Sequence, residues 1–144
     1  MTTEDQHVER KSLRLVTGRN PDWHAIACAC VCFANGDGGR LLLGIEDSES
    51  LPPAGQRIPT SLPEQLRKRI GELTVNVQAY PAVQLASNGG EYLEIVVQRS
   101  SGVASTRDGR FFVRVADHCV PIVGDEVLRL ASDRPQHPWE TLDS

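Results

Sequence analysis

The chain has 144 residues, 40% of them hydrophobic and 24% charged, with a formal net charge of −4. One domain of ordinary size with a real core is expected, and the acidic balance excludes a wholly basic, histone-like binder of nucleic acid, although steering depends on how charge is arranged. No run of about 18 apolar residues occurs and the opening MTTEDQHVERKS lacks a signal peptide's apolar core, so a cytoplasmic protein without a membrane span is expected.

Residues 8–16, VERKSLRLV, mix charged and apolar side chains and read as a first strand, with Val8, Leu13 and Leu15 on its buried side. Thr17 to Asn20 turns the chain. Asn20-Pro21-Asp22 then reads as a helix start: a capping side chain, proline at the first helical position and an acid at the positive end of the dipole. The helix over 22–34 is nearly apolar throughout, which predicts burial against a sheet.

The rest of the chain is organised around residues 33–47, FANGDGGRLLLGIED. Three glycines in five residues permit positive φ in a tight turn. The run 41–45 is short and apolar, which suits a strand buried on both faces. Glu46 and Asp47 stand at its mouth. The turn matches neither GxGxxG nor GxxxxGK[ST], and it follows a helix where those motifs follow a strand. A tight connection is therefore expected rather than a nucleotide cradle.

Residues 48–59 form a proline-rich loop. A helix begins near Thr60 or Ser61, with Leu66, Ile70 and Leu73 as its buried stripe and Arg67, Lys68 and Arg69 around it. A strand is expected over 75–85, where Pro81 argues against a central position. Residues 87–90, SNGG, signal a hairpin turn, and 91–98 a strand. A polar loop over 99–108 leads to a strand over 110–116, and Asp125 caps a short helix over 126–131. The expected order is β-α-β-α-β-β-β-α, a single α/β domain over 1–131 followed by a polar tail over 132–144.

The four cysteines, Cys28, Cys30, Cys32 and Cys119, contain no CxxC pair. On a helix Cys28 and Cys32 share a face and Cys30 points the other way. Small buried thiols in a reduced compartment are expected, with redox or metal chemistry the alternative. The histidines are scattered, and no HExxH or GxSxG frames a catalytic group. Four acids are candidates for a metal site, Glu4, Glu9, Glu46 and Asp47, because metal-assisted phosphodiester hydrolysis needs carboxylates converging on one ion. Lys11 is two residues beyond Glu9, so a strand projects both from one face. Arg110 and Arg114 also share a face, with Phe112 between them, as a backbone-binding pair beside a stacking ring.

In this order the motifs resemble the Schlafen-type AlbA_2 domain, a family associated with DNA binding and found in bacterial regulators and Schlafen proteins. The resemblance rests on Glu4, on Glu9-Arg10-Lys11-Ser12 against the family's E-F-K and serine, and on Phe33-Ala34-Asn35, Gly38-Gly39 and Gly44-Ile45-Glu46-Asp47. A late block, Phe111-Phe112-Val113-Arg114, completes it over roughly residues 4–131. Arg10 stands where the family has an aromatic, and the loop over 100–106 lacks the expected proline. The resemblance implies an AlbA-like domain that binds RNA or DNA on a surface with Lys11, Arg40, Arg110 and Arg114. It further implies a nuclease acting on structured RNA such as tRNA, in which Glu4, Glu9 and Asp47 hold Mg²⁺ or Mn²⁺ and Lys11 steadies the phosphate. The alternatives are a non-catalytic nucleic-acid-binding module and a regulatory or oligomerisation module, acting as a homo-oligomer or with further domains or subunits.

Overall fold

The computed structural model describes residues 7–134. The architecture is a mixed α/β domain, as expected: helices pack on one face of a four-stranded mixed sheet, and two small two-stranded sheets flank them. Among the described residues no helix is long and apolar enough to cross a membrane.

The sheet joins β1 (Val8–Lys11), β2 (Gly39–Leu43), β5 (Glu91–Val97) and β4 (Ala79–Leu85) in the order β1-β2-β5-β4. β1 runs parallel to β2, with Glu9 beside Leu41 and Lys11 beside Leu43. β5 is antiparallel to both of its neighbours. Pro81 lies in β4, an edge strand, where its missing N–H removes no central ladder bond. Leu41, Leu43, Leu93 and Ile95 face the helices and are fully buried. Alternation sends Arg40, Leu42, Glu94 and Val96 to the opposite face.

The crossover from β1 to β2 runs through α1 (Arg14–Thr17) and α2 (Trp23–Asn35). The first strand is shorter than its apolar pattern suggested. Ser12 accepts a hydrogen bond from the Arg14 N–H at 3.2 Å, and the chain turns into α1. Leu13 and Leu15 pack against the core from there, and Val16 is buried in it. The cap of α2 is Asp22, whose carboxylate accepts from the Ala25 N–H at 3.0 Å, so the helix begins two residues later than Asn20-Pro21 suggested. From Ile26 to Asn35 every residue of α2 except Cys28 is buried. Its long apolar run is covered by the sheet, by α3 (Leu62–Leu73) and by β7 (Phe111–Val115).

The glycine turn closes α2 onto β2. Gly38 has φ +84°, and a Cβ there would lie 2.7 Å from the Val97 carbonyl. At Gly39 a Cβ would run into the Phe33 ring and come within 2.7 Å of the His7 carbonyl. Gly39→Ala is therefore expected to cost about 1–3 kcal/mol by overpacking, read as a lower urea midpoint with an unchanged slope.

The strand expected over 75–85 divides into β3 (Thr74–Val75) and β4, because Asn76 turns the chain at φ +63°. β3 pairs with β6 (Ser105–Thr106) inside the expected polar loop. β7 pairs with a strand that sequence did not announce, β8 (His118–Ile122). α4 (Asp125–Ser132) follows Gly124, and Arg134, expected in a solvated tail, is buried and donates to the Gly36 and Ser100 carbonyls. The cysteine expectation is corrected as well. Cys32 and Cys119 form a disulfide across a Cα–Cα distance of 5.9 Å, joining α2 to β8, while Cys28 and Cys30 are free.

Candidate nucleic-acid interface

The carboxyl ends of the parallel pair β1 and β2 open into a cleft of about 540 Å³, lined by Arg10, Lys11, Ser12, Leu15, Glu46, Asp47 and Ser48. Its position follows from the topology. Two parallel strands end side by side, and the Gly44 N–H donates to the Lys11 carbonyl at 3.0 Å, locking the rim. α1 then leaves from one strand end and the acidic loop from the other. Lys11 and Asp47 thus share one wall-to-wall space although 36 positions separate them in sequence.

Lys11 is held in place by a chain of charges. Its Nζ lies 2.8 Å from one oxygen of Glu9. The other Glu9 oxygen pairs with Arg114. The Arg114 side chain is only 1% exposed, its second nitrogen donates to the Val8 carbonyl at 3.2 Å, and its guanidinium sits 4.7 Å over the Phe33 ring. A buried arginine on β7 therefore orients a carboxylate on β1, which orients a half-buried lysine at the cleft. Each link restrains the next, so Lys11 presents its charge with little rotamer freedom left to lose.

The expected binding surface is divided between faces of the fold. The charges of Lys11 and Arg110 both reach the partly exposed thiol of Cys28 on α2. Arg110 is exposed, 3.8 Å from Asp108. Asp108 holds its carboxyl below the usual range because it accepts a hydrogen bond from the Thr106 hydroxyl. Arg40 is on the other face of the sheet, paired with Glu94 at 2.7 Å. Arg114 is inside, and Phe112 is partly buried against the core. Arg110 precedes β7 and stays exposed, whereas Arg114 within β7 is buried against Phe33 of α2.

The residues described do not by themselves make a metal site. Both Glu9 oxygens carry cationic partners, so an ion there would have to displace Lys11 or Arg114. Among the described residues no three or more His, Cys, Asp or Glu side chains are grouped to hold one ion. Glu46 and Asp47 are exposed at the cleft. Glu4 lies outside the described residues.

Sequence reasoning missed Asn35, which had entered only as part of a motif. Its amide donates to the Ala104 and Phe112 carbonyls at 2.9 and 2.8 Å, and its oxygen accepts from the Ala104 N–H at 2.7 Å. It ties the end of α2 to the chain segment that presents Arg110 and Arg114. The available signal was a polar residue ending an apolar helix before a glycine turn.

A solved structure similar to this chain is that of the DIP2311 protein from Corynebacterium diphtheriae, with a TM-score of 0.65 and 24% identity over 92% of this chain. That likeness is one of fold, and the chain spans 28% of that protein's length. No curated protein matches. A family model described as "Schlafen, AlbA_2" matches residues 4–123, most of the chain and every element from β1 to β8. The chain belongs to the Schlafen AlbA_2 family.

Proposed function

We propose that this domain binds the phosphate backbone of nucleic acid at the β1–β2 cleft and along the adjoining side that carries Arg110. The observation that carries the reading is the Arg114–Glu9–Lys11 chain, which fixes a lysine charge at the mouth of a cleft. A positioned cation contacts phosphate without the ordering entropy of a free lysine. Family membership supports a nucleic-acid-related role. Ser12 and Ser48 add hydroxyls to the same cleft, while Glu46 and Asp47 limit how deeply a polyanion enters.

Lys11→Ala and Arg110→Ala are each expected to weaken binding of labelled RNA or DNA. Each should also lower the slope of log K against log salt by about 0.7–0.9, the contribution of one phosphate contact. Arg40→Ala, on the far face and paired with Glu94, should change neither quantity. Fluorescence anisotropy across a salt series decides the matter: equal losses for all three variants, or none, would remove this face from the interface.

A second reading, metal-dependent cleavage through Glu4, Glu9 and Asp47 with Mg²⁺ or Mn²⁺, is favoured by one observation, the presence of Lys11 and Asp47 in the same cleft. It predicts turnover of structured RNA that EDTA abolishes and Asp47→Ala removes. Binding without turnover is the expectation of the first reading, and it leaves Asp47→Ala with affinity equal to or above that of the unmodified chain, because a carboxylate is withdrawn from a phosphate-binding cleft.

A further inference from the structure

The β7–β8 hairpin is a separate two-stranded sheet. Two strands alone are marginal in water, so this hairpin depends on what docks it. It packs on α2 through the Asn35 amide and one covalent bond, Cys32–Cys119, and it is tied to β1 by the Arg114–Glu9 pair. The two sulfurs differ in access. Cys32 is fully buried in α2, whereas Cys119 is partly exposed in a strand whose side chains mostly face solvent. Helix side chains lean toward the N-terminus, which brings the Cys119 sulfur over the previous turn of α2, 3.5 Å from the Cys28 carbonyl. The free thiols nearby differ too. Burial raises the pKa of both, Cys30 to about 12, which keeps it inert, while Cys28 is partly exposed with its sulfur 3.5 Å from His24 Nε2. A disulfide within one helical turn of a free, partly exposed thiol differs from the fully paired cysteines of a secreted scaffold.

We infer that Cys32–Cys119 is a reversible redox modification site, taking a dithiol as its reductant, and that its state sets how firmly the hairpin holds Lys11. The step runs through the accessible sulfur. A thiolate of the dithiol attacks Cys119 Sγ, a mixed disulfide forms, and Cys32 leaves as a thiolate that takes up a proton. The second thiol of the reductant then closes on the mixed disulfide and releases Cys119. Two electrons pass from the dithiol to the protein, the reductant becomes a cyclic disulfide, and both cysteines end as thiols. Once the bond is open, β8 is tied to α2 by packing alone. β7, which carries Arg114, loses one of its anchors, and the Arg114–Glu9–Lys11 chain slackens. The effect on nucleic acid rests on the binding reading above; the effect on the hairpin does not.

The test uses the full chain, purified without reductant and equilibrated with oxidised or reduced dithiothreitol. Alkylation and mass measurement should find two free thiols in the oxidised form and four in the reduced form. Amide exchange in β7 and β8 should be about tenfold faster, or more, in the reduced form, with β2 and β5 little changed. Affinity for labelled RNA or DNA should fall in parallel, and Cys119→Ser should behave as the reduced form whether or not reductant is present. Four free thiols under oxidising conditions would overturn the inference. So would exchange in the hairpin that ignores the redox state. If neither form binds nucleic acid while hairpin exchange still follows the bond, the binding reading fails and the redox site stands.

Discussion

Replacing Arg114 with alanine will destabilise the fold by about 3–5 kcal/mol, the usual consequence of removing one partner from a buried ion pair. The reasons are specific to this position. The Arg114 side chain is 1% exposed, and Glu9 is 12% exposed. Removing the guanidinium leaves Glu9 with Lys11 alone, leaves the Val8 carbonyl without the donor that reaches it at 3.2 Å, and opens a void against Phe33. Arg114→Lys should fall between the two, because an ammonium restores the charge but not the two-pronged donation to Glu9 and Val8. In a Glu9→Gln/Arg114→Met double variant, part of the loss should return, since no uncompensated charge is then buried. Urea melts of the four proteins give the answer. An Arg114→Ala protein within about 1 kcal/mol of the parent would show that the hairpin is held by other contacts and that Lys11 is not positioned through this chain.

Arg114 also shows what could be read from sequence and what could not. The pattern over 110–116 anticipated the strand that carries Phe112 and Arg114, whereas Arg110 lies just before it and is exposed. Which face becomes interior is decided by α2, about 80 residues earlier in the chain, and no local pattern carries that information. The elements that were readable are those whose signal is local. The unbroken apolar run of α2 required burial, Gly38 and Gly39 required a close turn, and Pro81 required an edge. The missed elements had weak or misleading local signals. β8 contains Pro121 and follows a turn at Ala116, which adopts φ +55° without being glycine or asparagine. In 8–16 an alternation of charged and apolar residues continued past Ser12, where the backbone had already turned into α1. The cleft itself arises from parallel pairing of distant strands. Sequence supplied its residues, Lys11 and Asp47, through motif resemblance, but the Glu9–Arg114 link and the Cys32–Cys119 bond depend on tertiary placement.

Asn35→Ala should cost about 3 kcal/mol or more, since three hydrogen bonds disappear and their backbone partners stay behind. Asn35 is 4% exposed and Ala104 is fully buried. The Ala104 N–H and carbonyl, just before β6, are buried with their bonds to Asn35, and the Phe112 carbonyl on β7 is bonded in a part-buried site. The amide's orientation is dictated by those partners: an N–H must meet the side-chain oxygen, and two carbonyls must meet the side-chain nitrogen. Asn35→Asp therefore separates the two halves of the role. A carboxylate still accepts from the Ala104 N–H, but it turns an acceptor and a buried charge toward two carbonyls, so it should destabilise at least as much as alanine. If aspartate were tolerated, the donor half of the amide would carry no weight and the tie between α2 and β7 would have to lie elsewhere. The difference should also appear locally. Amide exchange at Ala104 should rise sharply in Asn35→Ala, and residues 104–115 should follow it, while β4 and β5 keep their protection until global unfolding. Uniform acceleration across the whole sheet would instead mark Asn35 as a general contributor to stability and not as the bolt that fixes the Arg110–Arg114 segment to the end of α2.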